Sequence, residues 1–424
     1  MRKKIYVKAP VLSQSGYGEQ SRFALRALRS REDLFDIYIA PIPWGKTGWI
    51  WQQDEFRDWM DERIKITSQM TQQKQLQPDM SLQITIPNEF EKICAVNYGF
   101  TAGIETDRVS PQWLQKGNHM DKILVVSNHA KQTYENTVVQ AQNQQTGEVF
   151  PYKLEKEISV VAQSTPRTEP QPIDNLELDY DFNFLMVTQV SPRKNFGNAL
   201  KWWIEEFIDQ KVGLVLKANV KSNSQLDYEY LSKSLSSMVK DYPDRKCKIY
   251  LLHGDLTSGQ MTGLYTNPKI KALVNISHGE GYGLPMFEAA REGLPIVTVG
   301  WSGHTDFLIQ QKEKMFEDVG FTVEQISPDA SWEGVIDKES RWAYADQGSY
   351  KMALRKTHKK WHAAKERAEK LKEIIINDYS DENLYAEFIS HFYEEEAPGV
   401  TIEDIPKISL ITSVYKAENY IEQL

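Results

Sequence analysis

Leu273-Val-Asn-Ile-Ser-His-Gly-Glu-Gly-Tyr-Gly-Leu-Pro-Met-Phe-Glu-Ala-Ala-Arg-Glu-Gly-Leu-Pro-Ile-Val297 is the stretch from which the fold can be read. Its apolar opening, residues 273–276, reads as a buried strand. A loop with glycines at 279, 281 and 283 follows, and Pro285 suits the first turn of a helix, where a missing N–H costs nothing. Residues 295–299 read as the next strand. Strand, glycine loop, helix and strand make one unit of a parallel α/β sheet.

The glycines let backbone N–H groups face outward with no Cβ in the way, and the helix start adds unpaired donors and a partial positive charge. Such a place suits an anionic group, most often a phosphate. Two acids frame it: Glu280 in the loop, and Glu288 eight residues later, about one turn inside the helix. A site for phosphate alone would not want an acid there. A ligand that carries hydroxyls as well as phosphates would.

Glu280, Gly281, Tyr282, Gly283, Leu284, Pro285 and Glu288-Ala289 resemble the Glu-x7-Glu signature of family-four retaining glycosyltransferases of the GT-B fold. The resemblance implies an α/β protein with two Rossmann-like domains facing a central cleft. It implies that Glu280 lies by the donor sugar and its phosphate, that Glu288 bonds the nucleotide ribose, and that the amides of Gly281, Tyr282, Gly283 and Leu284 hold phosphate and sugar hydroxyls. It covers nearly all of the chain to Pro398 and is strongest over residues 182–308.

Composition sets the outer limits. A chain of 424 residues has room for two domains. A net charge of −9 argues against nucleic acid as a partner but leaves room for a nucleotide-sugar, for which one basic site suffices. Cys94 and Cys247 build no disulfide framework and lack metal-ligand spacing, so a reducing, cytoplasmic compartment is expected. No apolar run approaches the ~20 residues of a membrane span. Asp179-Tyr-Asp181 has the spacing of a metal-bound sugar-nucleotide motif but precedes a strand instead of ending one, so no metal and no cofactor is expected.

Within the first half, residues 4–9 alternate like a strand and lead into Ser13-Gln-Ser-Gly-Tyr-Gly-Glu-Gln-Ser21, then a helical pattern at Phe23, Leu25, Ala27 and Leu28. Ser21 stands where a dinucleotide fingerprint has its third glycine, which argues against NAD. The resemblance instead makes Gly16 and Gly18 contacts to the donor phosphates or acceptor from across the cleft. Trp44, Trp49, Trp51 and Trp59 follow; aromatic faces stack on sugars, but core packing is the expectation for this segment. Residues 69–77 are polar, an exposed loop or helix end. Glu105, Asp107 and Arg108 match an acceptor-side loop of the resembled family, and residues 123–126 read as a buried strand, with Ser127 or Asn128 able to cap the helix that follows.

Three prolines between Pro166 and Pro172 mark an interdomain linker. The expected division is 1–165, linker 166–181, a nucleotide-sugar domain 182–375, a terminal helix in 376–398 able to cross back, and 399–424, a linker leading into Lys407-Ile-Ser-Leu-Ile-Thr-Ser-Val-Tyr-Lys-Ala417, which resembles the opening of family-two GT-A glycosyltransferases and implies the start of a second domain. In the second half the resemblance assigns Lys194 to the donor diphosphate. Gln189 falls where the family has an Arg. Lys217, at the end of a parallel strand, points toward the ligand crevice and can compensate; Arg193 is a further candidate or simply faces water. Residues 252–256 resemble the family's base-binding edge, and His304 is expected to be structural.

Residues 351–372 carry nine Lys or Arg, which fits either a solvated helix or contact with the inner face of an anionic membrane. Taken together, the reading is sugar transfer from a nucleotide-sugar donor to a glycan or lipid-linked glycan acceptor of a growing polysaccharide, with retention. Glu280, Lys194 and Lys217 form its catalytic set. A nucleotide-sugar epimerase and an inactive scaffold domain are the rivals.

Overall fold

The computed structural model describes residues 2–174 and 176–393. The first half forms β1 (Lys3–Ala9), α1 (Gly16–Arg29), β2 (Phe35–Pro41), α2 (Glu55–Gln72), β3 (Met80–Ile84), β4 (Val96–Thr101), α3 (Pro111–Gly117), β5 (Lys122–Val125) and α4 (Asn128–Asn136). A hairpin, β6 (Val139–Gln142) with β7 (Val149–Tyr152), precedes β8 (Glu157–Val160). The main strands pair in parallel in the order β2-β1-β3-β4-β5-β8. All five residues of β3 are buried, as a strand covered on both faces requires.

The second half repeats the scheme: β9 (Asn183–Gln189), α5 (Phe196–Phe207), β10 (Gly213–Asn219), α6 (Gln225–Val239), β11 (Lys248–Leu252), α7 (Ser258–Thr266), β12 (Ile270–Asn275), α8 (Leu284–Arg291) and β13 (Ile296–Val299). After α9 (Thr305–Leu308) and the small pair β14 (Ile309–Gln310) and β15 (Glu313–Lys314), β16 (Glu317–Val319) closes a parallel sheet of order β11-β10-β9-β12-β13-β16. The quoted stretch is therefore β12, loop, α8 and β13. In each sheet the order reverses beside the first strand, β1 or β9, and there the crevice for a ligand opens past the carboxyl ends.

Two features tie the halves together. β17 (Phe321–Gln325) and β18 (Arg341–Ala345) form an antiparallel pair, and between them Val335 packs in a cluster with Ile104, Val109 and Trp113 of the first half. Helices α10 (Gln347–Lys359) and α11 (Trp361–Asp378) then lead to α12 (Asp381–Ser390), which returns to the first half. Fully buried Phe388 lies 5.8 Å from Phe23 of α1 and 5.6 Å from Phe100 of β4, ring centre to ring centre.

The basic stretch is α10 and α11, and ion pairs take up much of its charge. Lys351 meets Glu205, Arg355 meets Glu206, Lys356 and Arg367 meet Glu317, and Lys365 and Lys370 pair along the helix with Glu369 and Glu366. Six of the nine basic side chains thus have acidic partners within the chain and not at a membrane. No helix among the described residues is long and apolar enough to cross one.

The aromatic segment departs from expectation. Trp59 is core, stacked on Phe56, and Trp44 lies 4.3 Å from Tyr17, but Trp49 and Trp51 are 64% and 61% exposed. The polar run at 69–77 covers the end of α2 and the turn after it. The proposed start of a second transferase domain at 399–424 lies outside the described residues.

Candidate active site

Glu280 is the centre of a buried charge cluster. A tight turn, residues 192–194, ends at Asn195, whose left-handed φ of 50° suits Asn better than most side chains. That turn lies on the 276–280 loop: the His278 amide donates to the Arg193 carbonyl (2.8 Å), and the Asn195 side-chain amide donates to the Ile276 carbonyl (3.2 Å). Both basic side chains thereby reach Glu280. Lys194 Nζ is 2.5 Å from Glu280 Oε1, and Arg193 Nη1 is 3.2 Å from Oε2 while donating to the Gly279 carbonyl at 2.6 Å. Asn275 and Ser277 also donate to Oε1, at 3.1 and 2.8 Å.

Arg193 also carries the cluster across the cleft, with Nη1 3.3 Å from Oε1 of Glu105 in the first half. It is partly buried between two acids instead of standing free in water. Burial pushes the Glu280 pKa up, but Lys194 and Arg193 outweigh it and hold the carboxyl well below the usual carboxylate range. Burial lowers the Lys194 pKa, Arg193 lowers it further, and Glu280 opposes both.

Beyond Glu280 the chain enters α8 through Gly283, at φ 92°, where a Cβ would press on Met286 and His304. The amides of Gly281, Tyr282, Gly283 and Leu284 donate to no acceptor among the described residues. Four free donors at a helix N-terminus are the electrostatic offer that the sequence implied. The Tyr282 side chain, however, is in the core against Phe287 and Phe307, so only its backbone can serve a ligand.

Two glycines of this loop have a purpose absent from the sequence reading. A Cβ at Gly279 would stand 2.3 Å from the Glu105 carbonyl oxygen, and one at Gly281 2.5 Å from that of Ala102. Both are places where the first half's backbone comes close. Ser127 Oγ donates to the Gly281 carbonyl (2.8 Å) and the Asn128 amide to Asp306 (2.7 Å), so the quoted loop is itself part of the contact between the halves.

No protein-family model matches the sequence, and no curated protein matches it either. Solved structures do. Sucrose-phosphate synthase from Thermosynechococcus elongatus is 12% identical, with 92% of this chain and 98% of that one covered, at a TM-score of 0.58. An E. coli structure described as trehalose-6-phosphate bound with UDP-2-fluoro glucose is 10% identical, with 92% and 98% covered, at 0.55. The chain has the GT-B fold. Against S. aureus TarM it is 12% identical at a TM-score of 0.48, with 74% of this chain covered and only 55% of TarM's length spanned.

In GT-B terms the two Rossmann-like halves face each other across the loops just described. Glu288, on α8, accepts from Thr165 Oγ1 (2.9 Å) and from Tyr265 OH (2.8 Å). Burial raises its pKa, Tyr265 and Arg291 oppose this, and Glu19 of α1 adds to the rise from across the cleft. Gly16 and Gly18 open α1: a Cβ at Gly16 would meet open space, whereas one at Gly18 would collide with the Ser13 carbonyl. Gly18 thus serves the turn, whose Ser15 hydroxyl caps its amide.

Other expected site residues are held elsewhere. Lys217 Nζ donates to the Gly254 carbonyl (2.7 Å) and makes no bond to the Glu280 cluster. Burial lowers its pKa, with Asp255 opposing. Gln189 donates to the Val220 carbonyl (3.0 Å). Asp107 accepts from the Arg341 amide (2.8 Å) and Arg108 pairs with Glu339, so both clasp the β17–β18 segment. Sequence reasoning missed Asn275, Ser277, Thr165 and Tyr265. The first two stand inside the quoted stretch, and their polar side chains next to a buried strand were a signal. His304 is buried, donates from Nε2 to the Val299 carbonyl, and leaves Nδ1 without a partner beside the cluster.

At the far end of the second sheet a cavity of about 280 Å³ lies over Asn223, Tyr228, Leu252 and His253. Asp227 holds its rim by accepting from the Val220 and Lys221 amides (both 2.8 Å) and from His253 (3.0 Å). Burial works against that charge, but these bonds bring its pKa from 3.8 down to about 2. A depressed carboxylate adds stability above its unfolded value, and the gain is lost as pH falls from 3.8 through about 2. Urea midpoints of the native chain and Asp227→Asn should therefore differ near neutral pH and converge by about pH 2. A constant offset across that range would assign the loop's stability elsewhere.

Proposed function

We propose that the chain moves a sugar from a nucleotide-sugar to the hydroxyl of a glycan or lipid-linked glycan, with retention at the anomeric carbon. One observation carries this reading: free amides at the start of α8 adjoin a buried acid held between two cations, at the seam of a GT-B fold. The amides and Lys194 would take the departing diphosphate, whose developing charge such preorganised donors stabilise best. Arg193 would join them by loosening its hold on Glu280. Glu280, kept ionised, is acceptor-only and would orient sugar hydroxyls. Glu288 would take the ribose by exchanging its Thr165 and Tyr265 bonds.

Retention through a covalent intermediate needs a second carboxylate at the anomeric carbon. No acid has a motif-based claim to that role, so attack from the same face, assisted by the leaving phosphate, is the preferred route. Lys217, which donates to the Gly254 carbonyl, would act on the nucleotide side.

The deciding experiment is a panel of nucleotide-sugars screened for release of nucleoside diphosphate, with and without acceptor and with a chelator. UDP-sugars come first because the E. coli neighbour holds UDP-2-fluoro glucose. Interconversion of sugars without acceptor would favour the epimerase, and failure to bind any member would favour the scaffold. Glu288→Ala should weaken nucleotide binding by about 10- to 100-fold in calorimetry, the loss of one or two charged hydrogen bonds. Unchanged affinity would remove Glu288 from the ribose site.

A further inference from the structure

Trp49 and Trp51 are two exposed tryptophans one residue apart. Their segment is fixed. The Gln14 amide donates to the Gly48 carbonyl (2.8 Å), the Ile50 amide donates to the Leu12 carbonyl (2.8 Å), and Ser13 bridges Trp49 in antiparallel fashion. Ser13 and Thr47 share a hydroxyl bond at 2.6 Å. The chain is therefore extended at 48–50, with Ile50 turned inward against the core and its two neighbours turned out. Alternate residues of an extended segment lie about 6–7 Å apart on one face, which puts both exposed indoles on the side away from Ile50, spaced as a two-ring shelf would be. The backbone that pins this shelf is the same loop that opens α1 at Gly16, on the cleft side of the first half.

We propose that Trp49 and Trp51 are a binding platform for a neutral oligosaccharide, stacking on successive sugar rings of an acceptor whose reacting end enters the cleft past Gly16. The proposal rests on the glycosyl-transfer reading for what the cleft does, and on the platform alone for what it binds. An indole is large and rigid, and its apolar face matches the C–H face of a pyranose. Hydroxyls at the ring edges need neutral hydrogen-bond partners, and Gln52 stands exposed beside Trp51 with Gln14 beneath Gly48. The local charge decides against a bilayer. From 44 to 58 the chain holds Lys46 and Arg57 against Asp54, Glu55 and Asp58, in a protein of net charge −9, so an anionic lipid surface would repel it.

The test uses the full chain on an array of neutral and acidic oligosaccharides, beside a Trp49→Ala/Trp51→Ala variant and a Trp49→Phe/Trp51→Phe variant. The native chain should hold neutral oligosaccharides, the alanine pair should lose about 10- to 100-fold in affinity, and the phenylalanine pair should keep most of it. Melting temperature and nucleotide binding should be the same in all three. Absence of glycan binding by the native chain, equal binding by the alanine pair, or tryptophan-dependent sedimentation with phosphatidylglycerol vesicles would each overturn the proposal. Where an acceptor is found, the alanine pair should raise its KM and spare kcat. If the array result holds while no nucleotide-sugar is turned over, the platform stands and the transferase reading falls.

Discussion

Gly281→Ala should reduce kcat/KM at least ~100-fold and cost the ~1–3 kcal/mol of stability typical of overpacking. The new methyl would sit 2.5 Å from the Ala102 carbonyl oxygen. Ordinary contact is ~3.5 Å, and a backbone carbonyl in a packed seam has no rotamer by which to move aside. The halves must part by about 1 Å, and a displacement of that size at a reacting centre can cost about two orders of magnitude in rate. The Ser127 bond to Gly281 and the Arg193–Glu105 pair both span the seam and would stretch with it. Each half keeps its own sheet, but one hydrophobic cluster runs through both, so parting the seam should also cost some stability; nucleotide affinity should persist because the amides and Glu288 belong to the second half. Kinetics beside small-angle scattering would check this. A fully active alanine variant would mean that the close approach at 281 is not needed for turnover.

That result bears on what could be read from the chain. The parallel sheets were legible because strands such as β5 and β9 carry short apolar runs, residues 123–125 and 184–187, separated by helical periodicity, a local signal. The Glu280–Lys194 meeting was legible through the family resemblance. The second use of Gly279 and Gly281 was not, because the atoms that require a missing Cβ belong to residues 105 and 102, far away in sequence. Asp107 and Arg108 look like free loop charges until the β17–β18 segment arrives from the other half to pair with them. The basic run at 351–372 hid its function for the same reason: three of the acids that meet it are Glu205, Glu206 and Glu317, on other elements. Trp49 and Trp51 erred the other way, since composition favours burial of tryptophan and only the register around inward-facing Ile50 turns them out.

Glu280→Ala should lower both stability and turnover, and two further variants separate the effects. Its carboxylate is 7% exposed, that of Lys194 15% and that of Arg193 25% by side chain, so the cluster is shielded from water. Removing the acid leaves two neighbouring cations with only Glu105 opposite Arg193, and breaking a buried pair in this way costs about 3–5 kcal/mol. Urea unfolding at neutral pH measures it. Because the folded-state pKa is depressed, the stabilisation is full above the unfolded carboxylate value and disappears as pH falls through the folded one, so the difference between variant and native chain should shrink in strong acid. Glu280→Gln keeps shape and a carbonyl acceptor for Lys194, and should lose less stability. Pairing Glu280→Leu with Lys194→Met removes both charges together and should recover much of it, as apolar replacement of buried pairs often does. Turnover should follow neither recovery: each of the three should remain about 10²- to 10³-fold slower, because a diphosphate and a sugar are handled by the charges and not by the packing. If the apolar pair were stable and as fast as the native chain, Glu280 and Lys194 would be a structural ion pair, and the site would have to be sought elsewhere in the cleft.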